Sequence, residues 1–122
     1  MEERRRFVRL DTRLRTTYTV IPSNEIRHTI TKDIGGGGIC LFVEEILASG
    51  TRLEVALQLP SREEPILFTG EVAWSEQYEV IGKEQRQQSV EVGIRFIEIA
   101  TQDQEAIMQH VILSMKPPQA AP

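Results

Sequence analysis

The sequence predicts a mainly β protein, a small antiparallel barrel that is closed or sandwiched, with one C-terminal α-helix. Short segments of alternating apolar and polar residues recur along most of the chain, which is typical of half-buried antiparallel strands. Turn-forming residues separate these segments, and the one segment with helical spacing comes last. Because no helices alternate with the strands, and because closure removes exposed sheet edges, a barrel is favoured.

Six strands are predicted. The clearest is residues 51–59, where every second residue is a leucine or valine and the residues between are mainly polar. Residues 14–21 are rich in β-branched and aromatic types, and residues 39–43 form a short apolar run. The remaining predicted strands are residues 26–32, 66–75 and 90–97.

The alternation also predicts which side chains face the core. In the second predicted strand it places Ile26, His28 and Ile30 on one apolar face, so His28 is interpreted as structural. In the fifth it places Trp74 on the same face as Val72.

The predicted helix covers residues 101–115. Thr101 and Gln104 have the spacing of a capping box, in which each side chain bonds the backbone N–H of the other residue. Ile107, Val111 and Met115 then form an apolar stripe, widened by its neighbours Met108 and Ile112, that we expect to cover one barrel opening or edge.

The length of 122 residues indicates one domain, residues 1–116. Within it we expect an arginine-rich arm over residues 1–10 and a barrel over residues 11–99, and residues 117–122 form a tail. No apolar run approaches a membrane span, and no signal peptide is visible. The single cysteine excludes an internal disulfide and fits a reducing cytoplasm.

Charge is distributed unevenly along the chain. The formal net charge is −4. Residues 1–15 hold six arginines and three acidic residues, a net +3, and the rest holds 8 basic and 15 acidic residues, a net −7. A basic arm on an acidic body argues against general nucleic-acid binding, which needs a broad basic face, and suits one compact anion. A solvated charged terminus is the alternative.

Patterns typical of enzymes are missing. The two histidines and one cysteine form no metal-ligand pattern, and no nucleophile or zinc-protease motif occurs. The glycine run at residues 35–38 is followed by neither Lys-Ser nor Lys-Thr, which excludes a P-loop, and by a strand, which excludes a dinucleotide fingerprint. We therefore expect no catalysis.

The arginines and the glycine run complement each other chemically. Glycine backbone can approach a ligand closely and present N–H groups to an anion, and arginine forks onto phosphates and guanine edges. Asp33 precedes the glycines and can accept N–H donors of guanine. The residues alone are consistent with a guanine nucleotide site and equally with a glycine-rich turn beside a solvated arm.

The chain resembles the PilZ domain family. The segment ERRRFVR is similar to the family's R-x-x-x-R motif, with Arg5 and Arg9 as the paired arginines. The segment DIGGGG, from Asp33 to Gly38, aligns with the second motif, Asp/Asn-x-Ser-x-x-Gly. The later segments VAW and GIRF and the last helix are also similar. The resemblance implies a six-stranded antiparallel barrel followed by a helix.

The resemblance also implies a function. The chain would be a bacterial, non-enzymatic receptor for the second messenger cyclic di-GMP, without cofactor or metal, acting in motility or biofilm regulation. The ligand would order the arm against the barrel and create a surface for a downstream protein partner, with no nucleic acid or membrane involved and the chain a monomer or homodimer. The implied ligand-binding residues are Arg4, Arg5, Arg6, Arg9, Asp33, Gly35, Gly37, Gly38 and Trp74.

One position departs from the family pattern. Gly35 stands where the motif has serine, which removes a hydroxyl, so we expect Gly35→Ser to tighten ligand binding. The departure leaves an alternative open, a degenerate PilZ domain that acts only through protein contacts. A weaker alternative, an RNA-binding arm on a barrel, is disfavoured by the acidic body and the 6% aromatic content.

Overall fold

The protein is described by a computed structural model that covers residues 8–81 and 86–115. Residues 1–7, 82–85 and 116–122 lie outside the description. The elements in chain order are β1 Arg9–Asp11, β2 Arg15–Val20, β3 Arg27–Gly35, β4 Gly38–Val43, β5 Arg52–Leu57, β6 Ile66–Ile81, β7 Arg86–Glu98 and α1 Thr101–Ser114.

Six of the seven strands close into an antiparallel barrel, which confirms the predicted fold. The hydrogen-bonded order is β3-β2-β5-β6-β7-β4, and the pairing of β4 with β3 closes the ring. The short strand β1 pairs with β3 at residues 33–35, beyond the part of β3 that pairs with β2. The structure therefore places Arg9 and Leu10, expected in the arm, in a strand on the barrel, because their backbone extends the ladder of β3.

The core follows the alternation of β5. Leu53, Val55, Leu57 and Leu59 are each 2% exposed or less, as predicted. They join inward-facing apolar residues of the other strands, and Ile107 of α1 completes the same cluster. The helix packs against β3 and β1 and so lies beside the turn between β3 and β4.

The predicted facing of β3 is wrong. Ile26 and Ile30 are 63% and 41% exposed, and His28 is exposed between them. Over residues 27–31 the inner face of this strand is instead polar, and its threonine hydroxyls are hydrogen-bonded. Thr31 is fully buried, accepts a bond from the Leu14 N–H at 2.9 Å and donates to the Thr12 carbonyl at 2.6 Å. Because a satisfied threonine tolerates burial, apolar content misidentified the core face.

The predicted facing of Trp74 is also wrong, and a β-bulge is the reason. On β6, Val72 pairs with Ile94 and Trp74 pairs with Gly93, so Ala73 is an extra residue in the ladder. The extra residue breaks the two-residue period, and Trp74 points outward, 44% exposed.

The predicted capping box does not form. The N-cap residue is Ala100, which makes no side-chain capping bond, and the Gln104 side chain donates to the carbonyl of Gly36 at 2.6 Å. The apolar stripe is also shorter than predicted. The helix ends at Ser114 with Met115 as C-cap, and Met115 is 47% exposed. Among the described residues, no helix is both long enough and apolar enough to span a membrane.

Candidate functional site: an outer groove

A groove of about 480 Å³ lies on the outer face of the barrel, across β3, β4, β7 and β6. One cross-strand row forms its centre: Asp33 pairs with Cys40, Cys40 with Gly93, and Gly93 with Trp74. Gly38 lies two residues from Cys40 and therefore on the same outer face. Because Gly38, Cys40 and Gly93 have small or no side chains, the sheet surface is open between larger side chains on either side.

Two β-bulges supply the walls. Thr31 pairs with Leu41 and Asp33 with Cys40, which makes Lys32 an extra residue of β3, as Ala73 is of β6. Each bulge turns two consecutive side chains outward, Lys32 with Asp33 and Ala73 with Trp74, and all four line the groove. The bulge of β3 thus produces the charged wall of the groove, and the bulge of β6 produces the aromatic wall.

The two sequence motifs meet at Arg9 and Asp33. The Arg9 Nε and Nη2 donate to Asp33 Oδ1 at 2.8 and 2.5 Å, across 24 positions of sequence. The two side chains are 29% and 24% exposed, so the pair stands at the groove margin, partly open to solvent. The guanidinium and the carboxylate are therefore held where both can meet a ligand.

Gly35 lies beneath the Arg9 side chain. The two residues are direct partners in the β1–β3 ladder. A Cβ at position 35 would stand 3.0 Å from the Val8 carbonyl oxygen and 3.4 Å from both Cγ and Nη1 of Arg9. The absence of a side chain at position 35 thus lets Arg9 cross the ladder to Asp33.

Two other glycines are required by strand packing. A Cβ at Gly38 would lie 2.1 Å from the Ile94 carbonyl oxygen. A Cβ at Gly93 would lie 2.3 Å from the Trp74 Nε1, so the indole rests directly on the backbone of β7. Gly38 and Gly93 therefore shape the groove by allowing close approach between parts of the barrel.

A second ion pair occupies the groove. Lys32 Nζ is 3.6 Å from Glu91 Oε1, and Tyr78 donates its hydroxyl to Glu91 Oε2 at 2.7 Å. Glu91 is 9% exposed. The nearby Glu91 carboxylate raises the pKa of Lys32, which stays cationic at neutral pH.

A third ion pair involves Arg95. The Arg95 Nε donates to Glu71 Oε1 at 3.0 Å, and this hydrogen bond lowers the pKa of Glu71. Arg95 lines the groove with its side chain 62% exposed. All three described cations of the groove, Arg9, Lys32 and Arg95, therefore have a carboxylate within 4 Å.

Cys40 is 2% exposed although it belongs to the outer face. Burial raises the pKa of its thiol to about 12, and the charges of Asp33 and Glu91 add to the shift. The thiol therefore stays protonated and provides a neutral, polarisable surface in the groove. Within the described part of the chain, no group of three or more His, Cys, Asp or Glu residues could hold a metal ion.

The structure brings Arg9, Asp33, Gly37, Gly38 and Trp74 to one groove. Gly35 lies beside it, under Arg9. Arg4, Arg5 and Arg6 lie outside the described residues. Six further groove residues were not predicted from the sequence: Lys32, Cys40, Glu76, Glu91, Gly93 and Arg95. The glutamate in the otherwise apolar VEVGI run was the available signal for Glu91.

The fold and the groove define a class, a closed six-stranded barrel with a C-terminal helix and a charged outer groove at the β3–β4 turn. The PilZ domain family model matches residues 3–113, and the chain belongs to that family. No curated protein matches the sequence.

Solved structures share this fold. The PilZ domain of YcgR from Escherichia coli, a structure with c-di-GMP, is 18% identical with a TM-score of 0.73, over 92% of this chain and 91% of that one. The Bacillus subtilis inhibitor of motility MotI/DgrA is 28% identical with a TM-score of 0.70, over 92% of this chain and 51% of that one.

A complex of K. pneumonia MrkH with c-di-GMP is 20% identical with a TM-score of 0.69, over 92% of this chain and 53% of that one. The chain thus spans about half the length of MotI/DgrA and of MrkH.

Proposed function

We propose that this chain is a non-enzymatic receptor for cyclic di-GMP and that the outer groove binds the ligand. The observation that carries the proposal is the meeting of Arg9 and Asp33. These residues come from the two motifs of the family resemblance, and they stand side by side at a groove with an exposed tryptophan. A volume of about 480 Å³ is within the usual range of small-molecule sites.

Each motif residue has a role in this proposal. Arg9 binds a phosphate or the acceptor edge of a guanine, since a guanidinium fork matches both. Asp33 accepts guanine N–H donors, and the exposed face of Trp74 offers a stacking surface. Arg5, with Arg4 and Arg6 beside it, adds positive charge from the arm, a role that rests on the family resemblance.

The proposed output is a change of surface. The ligand holds the arm against the barrel and so creates a new face for a downstream protein partner, within a bacterial cytoplasm. The chain then carries a signal without chemistry of its own. Two proteins of similar fold support the ligand class, since structures of YcgR and MrkH with c-di-GMP have been solved.

A specific observation favours a second candidate, an interaction module that binds no nucleotide. The pairs Arg9–Asp33, Lys32–Glu91 and Arg95–Glu71 already neutralise the described cations of the groove. A doubly anionic ligand would have to share or displace those carboxylates. The retained arginine motif favours the receptor, and titration decides between the two.

Trp74 provides the test, because it is the only tryptophan of the chain and lies in the groove. Adding cyclic di-GMP should change its fluorescence saturably and raise the melting temperature by mass action. Arg27→Ala is the matched control and should respond to the ligand as the parent does, since Arg27 pairs with Glu25 and does not line the groove. If neither the melting temperature nor the fluorescence changes when cyclic di-GMP is added, the receptor proposal is refuted and the interaction module is favoured.

A further inference from the structure

The Lys32–Glu91 pair lies in the groove but belongs to neither motif. Glu91 is the one charged residue among the buried residues of the described chain. Its side chain is 12% exposed, and that of Lys32 is 40% exposed. The pair comes from separate elements, Lys32 from the bulge of β3 and Glu91 from β7.

The position of the Glu91 carboxylate is fixed from one side. Tyr78 occupies Oε2 with a hydroxyl bond of 2.7 Å. Oε1 faces Lys32 at 3.6 Å, which is longer than a normal hydrogen bond. Oε1 therefore keeps acceptor capacity for a further donor in the groove.

Structural stabilisation alone is a weak explanation for this arrangement. A carboxylate withdrawn from water costs free energy unless it is well paired, and a long, partly exposed ion pair contributes little. Glu76 lies directly across the ladder from Glu91, and like charges at that position repel. A ligand that donates N–H groups would offset both costs.

The geometry points to a reader of the guanine edge. A cationic donor, Lys32, stands beside an anionic acceptor, Glu91. Guanine presents the matching order on its Watson–Crick edge, the O6 acceptor beside the N1–H donor. We propose that Lys32 donates to O6 and Glu91 Oε1 accepts from N1–H of one guanine base, which makes the pair a specificity determinant. This inference rests on the proposed function.

The structure also suggests how that base is held. Trp74 lies two residues before Glu76 on β6, and Gly93 lies two residues after Glu91 on β7, so all four side-chain positions share one face. The Trp74 indole over Gly93 is thus a neighbour of the Lys32–Glu91 pair. A base stacked on the indole would direct an edge along the groove.

The test compares cyclic di-GMP with cyclic di-AMP by calorimetric titration. Adenine presents the opposite order, an N6 amino donor beside the N1 acceptor, which opposes Lys32 and Glu91 in the same orientation. Glutamate only accepts, whereas the amide of Glu91→Gln can accept or donate. Glu91→Gln should therefore lower the preference for cyclic di-GMP over cyclic di-AMP about tenfold. Glu98→Gln, an exposed change on the same strand, should leave it unchanged.

Tyr78→Phe is a second variant, which tests the same role without changing Glu91 itself. It keeps the charge of Glu91 but removes the bond that orients it, so the preference should fall in the same direction by a smaller factor. If Glu91→Gln weakens both ligands equally, or neither, Glu91 is structural and the inference fails while the receptor stands. If the parent chain binds no cyclic di-GMP, the proposed function itself fails.

Discussion

The Arg9 side chain crosses over Gly35 and ends in two hydrogen bonds to one oxygen of Asp33. The pair is partly exposed, so its contribution to folding is small, roughly 0–1 kcal/mol. Its contribution to ligand binding is larger in this account, because the guanidinium would meet the ligand's charge in a partly desolvated groove.

Arg9→Ala should weaken binding of cyclic di-GMP at least tenfold, about 1.4 kcal/mol. The free energy of unfolding should fall by less than about 1 kcal/mol, as for a partly exposed pair. Calorimetric titration and urea unfolding measure the two effects, with Arg27→Ala as the control. Unfolding of Arg9→Ala at room temperature would make Arg9 a structural residue and contradict its assignment to the site.

Gly35→Ser tests the departure from the family motif, and the contacts at this position favour an outcome opposite to the sequence-based expectation. The added Cβ would crowd the Val8 carbonyl oxygen at 3.0 Å and the Arg9 side chain at 3.4 Å. Val8 and Arg9 would have to shift by a few tenths of an ångström, and overpacking of this kind costs about 1–3 kcal/mol. We therefore expect Gly35→Ser to lower stability and weaken ligand binding.

Gly35→Ala separates crowding from the effect of the hydroxyl. Both variants carry the Cβ, so thermal melts and titrations should show similar losses for the two. A serine variant that binds more tightly than the parent, while alanine binds more weakly, would show that the hydroxyl restores the family contact.

The buried thiol of Cys40 predicts a pH dependence. Its pKa rises from 9.0 to about 12 on folding, so the folded state disfavours the thiolate. The resulting stability is complete below pH 9 and is lost as pH rises toward 12. The free energy of unfolding, measured with urea, should therefore fall more steeply with pH for the parent than for Cys40→Ala between pH 9 and pH 12. Parallel pH profiles for the two proteins would show that the thiol ionises normally in the fold.

At the scale of elements, α1 is tied to the motif turn by one side chain. Gln104 donates to the Gly36 carbonyl, and the adjacent Gly37 carbonyl accepts from the Phe96 N–H at 3.1 Å. The turn between β3 and β4 is therefore anchored by the helix on one side and by β7 on the other. This anchoring holds the backbone that leads into the groove.

Gln104→Ala should lower the free energy of unfolding by about 1 kcal/mol, the usual contribution of such a hydrogen bond. Amide exchange at Gly37 and Gly38 should also become faster. Gln102→Ala, an exposed change in the same helix, is the control. Equal stability and equal exchange in the two variants would mean that the helix does not support the turn.

The direction in which a strand's side chains point could be predicted from local sequence only where the strand has no bulge. Strand β5 alternates regularly and its buried face was predicted correctly. The outward turn of Lys32 and Trp74 depends on one extra residue in each ladder, a property of the pairing between two strands rather than of either strand alone. The predicted facing of β3 is wrong for another reason, because the inward-facing residue between the exposed Ile30 and the bulge is a hydrogen-bonded threonine, Thr31.

For the whole molecule, periodicity and turn residues were sufficient to predict a barrel with a terminal helix. Five groove residues could also be predicted from the resemblance to a family: Arg9, Asp33, Gly37, Gly38 and Trp74. The charged groove residues outside the motifs could not, because Lys32, Glu91 and Arg95 come from strands that meet only when the barrel closes. Their contacts depend on register, which a single sequence does not reveal.

The distribution of charge over the whole chain fits the separate roles proposed for the groove and the arm. The described cations of the groove are paired with carboxylates, whereas residues 1–8, ahead of β1, carry three arginines and two glutamates, a net +1. In this account the groove supplies orientation and base contacts, and the arginines of the arm add positive charge for the phosphates. The two parts together favour a ligand that carries two guanines and two linked phosphates.

Calorimetric titration of the intact chain with cyclic di-GMP, GMP, GTP and cyclic AMP tests the central claim most directly. We expect saturable binding of cyclic di-GMP and at least tenfold weaker binding of the other three, because only cyclic di-GMP engages the arm, the Arg9–Asp33 pair and the groove at once. Equal affinity for GMP, or no heat with cyclic di-GMP, would contradict it.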